Sequence, residues 1–158
     1  MTFIEHASVA RITWGSYLAI GRSITTPPVD PVSDEFDNVS EVTAGEPPDE
    51  QTDDVEVSHW GSPGRTKEYK PGMIDGGEVT ATINFNPEEI TDHRRLIALK
   101  KNRQVRNVRF VSTDGMETID FPGYVKGLKR NMGGPGDPLT ADITFKVAGE
   151  VVSDRETT

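Results

Sequence analysis

Two stretches of the chain alternate strictly between apolar and polar positions. In residues 78–86, Val79, Ala81, Ile83 and Phe85 fall on one side, with Glu78, Thr80, Thr82 and Asn84 on the other. In residues 139–147, Leu139, Ala141, Ile143, Phe145 and Val147 oppose Thr140, Asp142, Thr144 and Lys146. Successive side chains of a strand point to opposite faces, so a period of two predicts strands with one face in a core. The first stretch runs into Asn86-Pro87, which reads as an N-cap followed by proline at the first helical position, with Glu88 and Glu89 in the first turn. A helix to Lys101 follows, with Ile90, Leu96, Ile97 and Leu99 as its apolar stripe. Arg94, Arg95, Lys100 and Lys101 lie late in it or outside the stripe, where cations suit the helix dipole.

Shorter patterns predict strands at residues 16–20, 36–43, 54–58, 105–112 and 117–128. Residues 54–58 place Val55 and Val57 on one face, and residues 105–112 bury Val108 and Phe110 with Arg106 at the rim. Pro122-Gly123 inside the long strand predicts a bulge or bend, and Thr113-Asp114-Gly115 a hairpin turn. Loops are expected where proline, glycine and acids lose periodicity, as in the stretch ITTPPVDPVSDE, in AGEPPDEQTDD, and in residues 58–77. About seven strands and one helix, mostly joined by short turns, give an all-β fold with one flanking α-helix, an antiparallel β-sandwich or barrel.

The length of 158 residues suits one domain. It divides into an N-terminal arm (1–13), a β-sandwich domain (14–149) and a loose polar C-terminal tail (150–158). The net charge is -9, which disfavours gripping nucleic-acid phosphate. The charge is segregated: residues 23–64 hold no Lys or Arg but eleven carboxylates, whereas residues 94–109 are strongly basic. Such a dipolar molecule suits association between copies, though a solvated loop and an ordinary basic helix give the same pattern. With no cysteine, disulfides, thiolate catalysis and cysteine-based zinc sites are excluded. His6, His59 and His93 have no metal-pair spacing and read as surface or capping residues. No Gly-x-Ser-x-Gly frame occurs. The acidic residues 30–41 lack the glycine and terminal glutamate of a calcium loop, and GGPGDP lacks the lysine and helix of a phosphate cradle. The start has no secretory pattern, and no run approaches the ~20 apolar residues of a membrane span. The reading is a protein that is not an enzyme, has no cofactor or metal, and is expected in the cytoplasm of the cell that makes it.

The stretch VSHWGSPGRTKEYKPGMIDGGEVTATINFNPEE resembles the central signature of the tail tube proteins of long-tailed, lambda-type bacteriophages. The resemblance rests on Ser62, Pro63, Gly64, Tyr69, Pro71, Gly72, Asp75, Gly77, Glu78, Val79, Phe85, Asn86 and Pro87, in that order. VRNVRFVSTDGMETIDFPGYVKGLKR is similar to the family's next hairpin, LTADITFKVAGEV to its last strand and WGSYLAIG to its first. It extends over residues 14–151, but the arm 1–13 has no clear counterpart and the segment 25–54 is longer and more acidic than the family's pattern, so neither inherits an assignment.

The resemblance implies a structural virion protein of the phage tail, forming hexameric rings that stack into a hollow tube through which DNA passes. Its partners would be copies of itself, the tape measure, the terminator and the tail tip. DNA would transit the bore without specific binding. The loop 58–77 would be an interface arm, with Trp60, Tyr69 and Met73 as anchors and Ser62, Pro63 and Gly64 as its turn. Arg65, Lys67 and Lys70 would face a neighbour's acids. The polar faces of the two clean strands, Thr80, Thr82, Asn84, Thr140, Asp142 and Thr144, would line the lumen; in a monomer the same faces would simply meet solvent. A tail terminator or a secretion-system tube ring fits the same pattern, and so, with fewer supporting residues, does a β-sandwich binding module.

Overall fold

A computed structural model describes residues 15–25, 27–88, 90–112 and 117–154. The expected arm 1–13, Trp14, the turn Thr113-Asp114-Gly115 and the last residues of the tail lie outside these. Among the described residues the strands are β1 (Tyr17–Gly21), β2 (Phe36–Asn38), β3 (Val42–Glu46), β4 (Gln51–Glu56), β5 (Tyr69–Asp75), β6 (Glu78–Asn84), β7 (Arg106–Val111), β8 (Thr118–Asn131), β9 (Thr140–Val147) and β10 (Val152–Ser153). A single helix, α1 (Thr91–Asn102), accompanies them. The fold is therefore all-β with one helix, as the periodicity predicts.

Eight strands form one antiparallel sheet in the order β2-β1-β7-β8-β9-β6-β3, with β10 on β8. The strands at its two ends, β2 and β3, are consecutive in sequence, joined only by residues 39–41. Three residues reach no more than about 11 Å, so the two ends of the sheet must come together and the sheet curls around its own apolar face. That face holds Leu18, Val79, Ile83, Val108, Phe121, Ile143 and Phe145, all essentially inaccessible to water, and α1 adds Leu96 and Leu99.

Local chemistry explains where elements differ from the patterned expectation. The expected strand 36–43 is broken at Ser40-Glu41, where Glu41 takes φ 63 and its carbonyl accepts from Asn84 N–H. AGEPPDEQTDD, expected as loop, supplies most of β3 and β4, because backbone pairing with β6 and β5 outweighs weak side-chain preference. The helix begins at Thr91, four residues after Pro87. Ahead of it, Ile90 N–H donates to Asn86 C=O at 3.0 Å. His93 explains the delay: its Nδ1 accepts Asn86 N–H at 3.0 Å and its Nε2 lies 2.9 Å from the Ser40 carbonyl. The ring is fully buried and stacks on Phe85, so it is a core strut rather than the surface or capping residue expected. The expected bulge at Pro122-Gly123 lies between Val125 and Gly127. Pro122-Gly123 instead marks the place where β8 exchanges partners: Gly123 is the last residue paired with β7 and the first paired with β9. The C-terminal stretch is not loose up to Asp154, since β10 pairs with β8 and Ser153 is buried.

The proline-rich stretch before β2 is held by Asn107, buried in β7, whose amide donates to Val29 C=O and Asp34 Oδ2. Beside it Arg22 forks onto Asp37, and Arg95 of α1 reaches the same carboxylate at 2.8 Å. The Arg22 hydrogen bond is the largest cause holding Asp37 below the usual carboxylate range. This ion cluster clips β2 to the helix.

Candidate functional site

Two surfaces stand out from the body, and neither resembles a catalytic centre. Among the described residues no group of three His, Asp or Glu side chains is placed to hold a metal ion.

The first surface is the polar face of β6 and β9. Their register pairs Thr80 with Thr144, Thr82 with Asp142, and Asn84 with Thr140. Residues directly opposite on antiparallel strands share a face, so all six residues singled out in the sequence form one continuous patch. Each is half-exposed, while Val79, Ala81, Ile83, Ala141, Ile143 and Phe145 between them are buried. The patch is tied internally: Thr82 Oγ1 donates to Asp142 Oδ1 at 2.8 Å, and Asn131 Nδ2 to Asp142 Oδ2 at 3.1 Å. These two bonds, Thr82 first, hold the Asp142 carboxyl below its usual range, so it is ionised.

The face extends over four strands. On one side β3 sets Ala44 beside Thr82 and Glu46 beside Thr80. On the other, β8 sets Lys129 beside Asp142 and Asn131 beside Thr140. Lysines therefore share this face, which the alternation of β6 and β9 alone did not reveal. They are matched by carboxylates: Lys126 pairs with Glu78, and Lys146 lies 3.5 Å from Asp75. The lysine bond lowers the Glu78 carboxyl, and the Gly77 backbone N–H, then Lys146, lowers that of Asp75. The result is a wettable face of hydroxyls, amides and compensated charges.

The second surface is a β-hairpin. Residues 58–77, expected as a loop, contain the return strand β5, paired with β4 from Gln51↔Asp75 to Glu56↔Tyr69. These two strands form a sheet of their own, separate from the body's. Neither contributes a buried residue: β4 is exposed throughout, and in β5 only Gly72 is even half-covered. Pro71 is accommodated because each strand of a two-stranded ribbon has a free edge.

At the distal end, Ser62 accepts from His59 N–H and donates to Glu68, fixing a tight turn whose Gly64 takes φ 62. Trp60 is wholly exposed (109%), as is most of Met73 (82%) and half of Tyr69. Arg65, Lys67 and Lys70 are exposed as well. The predicted arm residues are thus brought together on one hairpin. Sequence reading placed a strand at 54–58, with Val55 and Val57 on one face; β4 instead runs from Gln51 to Glu56, so its start, Gln51 to Asp53, was taken for loop.

The sequence profile of the family described as phage tail tube, TTP, lambda-like matches residues 28–120. That span takes in residues 28–54, most of the segment that is longer and more acidic than the sequence resemblance leads one to expect. No curated protein sequence matches the chain. Solved structures share the fold. One is the tail of an empty gene transfer agent (GTA) particle with C6 symmetry: TM-score 0.67, 14% identity, covering 90% of this chain and 98% of that one. A second, labelled as the sheath/tube terminator of the extracellular contractile injection system PVC, has TM-score 0.67 and 11% identity, over 94% of this chain and 99% of that one. A third, from the sheath-tube complex of the same system, has TM-score 0.67 and 10% identity over 92% of each chain. At such identities the likeness is one of fold.

Proposed function

The chain belongs to the lambda-like phage tail tube family and is a structural, non-enzymatic protein of the virion tail, and from that premise we propose that it is the protomer of hexameric rings stacked into the tube that delivers phage DNA. The observation that carries this reading is the registered polar patch of Thr80/Thr144, Thr82/Asp142 and Asn84/Thr140, backed by a closed apolar core. Curved into a ring, that face lines a bore that is wetted and has no unmatched excess of positive charge. Phosphate backbones pass such a wall without being held by counterion release.

The sheet that bears the patch has two edges available for continuation. β3 pairs with β6 on one side only, and β7 pairs with β8 no further than Gly123. Edge strands are aggregation hazards unless paired or covered. Joining the β3 edge of one subunit to the β8 edge of the next, residues 124–131, removes both hazards and closes a ring. Six-fold closure is supported by the C6 tail of the gene transfer agent, which has the same fold. The hairpin arm, with Trp60, Tyr69 and Met73 uncovered, reaches to neighbouring subunits, and the tape measure, terminator and tail tip meet the ends of the tube.

Negative-stain microscopy of the concentrated protein tests this: filaments with a central channel are expected, and a persistent monomer overturns it. The similarity to a sheath/tube terminator favours a second reading, a ring that caps the tube. Isolated rings that do not stack support that reading over the first.

A further inference from the structure

The body carries a strongly basic groove. It runs between the last turns of α1 and β8, has a volume of about 780 Å³, a floor of Ile97, Val125 and Leu128, and a rim of Lys100, Lys101 and Arg103. Arg103 is held at the helix end in a left-handed conformation, φ 54. Among the described residues none of the three rim cations has an ion-pair partner within 4 Å. The acidic strand of the arm is its counterpart. Asp53, Asp54 and Glu56 are exposed and likewise unpaired in the same sense, and Val55 (47% accessible) and Val57 (38%) sit among them.

We propose that this groove is the seat of the acidic arm strand β4 of a second copy, with Val55 and the adjoining Val57 over the apolar floor, Asp53 on the same strand face against Lys100, Lys101 and Arg103, and Asp54 and Glu56 on the alternate face adding to the attraction at longer range. The proposal rests on the ring reading above and deepens it. Three features of the molecule select a second copy as occupant. Charges on groove and arm are complementary, and both stay unsatisfied within one chain. The groove is apolar beneath its charges, as the arm strand is between its own, which suits a peptide better than a bare polyanion. Finally, the groove borders the edge of β8 beyond Gly123, since Val105, leading into β7, lines it too. If β3 of a neighbour joins that edge, its β4 follows after only residues 47–50, a tether of at most about 14 Å. The arm strand is thereby delivered to the groove. Contacts of opposite sign fix orientation and speed encounter as well as adding affinity.

A charge exchange tests it. One variant carries Lys100→Glu and Lys101→Glu, the other Asp53→Lys and Asp54→Lys; both must melt as the parent does. Each alone is expected to lose at least ten-fold in sedimentable assembly, because arm and groove now repel. An equimolar mixture is expected to recover assembly, because every groove again meets an arm of opposite charge. If either variant alone assembles as the parent does, or the mixture fails to recover, the groove pairing is overturned while parental tubes leave the ring reading standing. Duplex DNA bound by the parent and released by Lys100→Glu/Lys101→Glu, with assembly intact, assigns the groove to nucleic acid and also overturns it.

The absence of cysteine allows a second measurement. Val55→Cys protein mixed with Lys101→Cys protein and a short bis-maleimide should give a mixed cross-linked dimer. Cross-linking without tubes sustains the groove and sinks the ring reading; parental tubes without cross-linking do the reverse; neither sinks both.

Discussion

Thr82 and Asp142 face each other across β6 and β9, and the threonine hydroxyl donates to the carboxylate at 2.8 Å. Asp142 is thereby held ionised below the usual carboxylate range, with Asn131 as its second donor. A carboxyl depressed in the folded state stabilises the fold above its unfolded pKa, and that contribution is lost as pH falls through the folded value. Thr82→Val keeps the shape and removes the donor. The Asp142 carboxyl, followed by NMR titration, should then move up toward its ordinary value. Asp142→Asn should flatten the loss of stability as pH falls below the ordinary carboxylate range. An unchanged titration in Thr82→Val would show that the hydroxyl does not set this carboxyl.

His93 joins three parts of the fold that are distant in sequence: Asn86, Ser40 and Phe85. A backbone N–H can only donate and a carbonyl only accept, so Nδ1 is the acceptor and Nε2 carries the proton. His93→Ala removes a fully buried ring together with both bonds and the stack. Denaturant unfolding should show a loss of about 2–4 kcal/mol, the range for large-to-small core changes. His93→Phe restores the volume but not the bonds, and should recover only part of it. Full recovery would reduce His93 to a space-filler.

The same residue shows why some of the fold was hidden in the sequence. β6 and β9 were legible because each has one face in the core, and burial imposes period two on the side chains. Their register then followed from pairing, which is why six residues read from two separate strands meet on one patch. His93 was illegible because its partners are backbone groups, one of them over fifty positions away; nothing in the side-chain pattern encodes a carbonyl at Ser40. The strand pairing within the arm was largely illegible for a different reason. β4 and β5 bury nothing, so no apolar face disciplines their sequence, and Pro71-Gly72 reads as a break although the ribbon pairs on either side of it. Lys129 escaped notice as a neighbour of Asp142 because the bulge at Val125/Gly127 shifts the register of β8 before it reaches that residue.

Gly123 stands where β8 passes from β7 to β9. A Cβ there would lie 2.9 Å from the Lys146 carbonyl and 3.0 Å from the Phe121 ring. The carbonyl belongs to the adjacent strand and cannot turn aside as a flexible side chain would. Gly123→Ala should cost about 1–3 kcal/mol, as overpacking does. Gly127→Ala, where the nearest atom is 4.0 Å away, serves as the control and should be nearly neutral. Equal effects at the two glycines would locate the penalty in backbone entropy rather than in the strand crossing.

The hairpin separates folding from assembly, because it contributes nothing to the core. Gln51 and Asp75 are paired, which puts their Cα atoms about 5 Å apart. The arm can therefore be excised between them and the chain closed by a short glycine-containing turn. Since the removed strands bury no residue, the melting temperature of the trimmed protein should lie within a few degrees of the parent. If the arm is the contact between subunits, the trimmed protein should stay monomeric in sedimentation at concentrations where the parent forms tubes. Trp60→Ala, which removes the most exposed large apolar side chain of the arm, should weaken assembly in the same direction without altering the melt. Tubes formed as readily by the trimmed chain would mean that sheet edges alone bind the subunits, and the arm would have no part in holding the tube together.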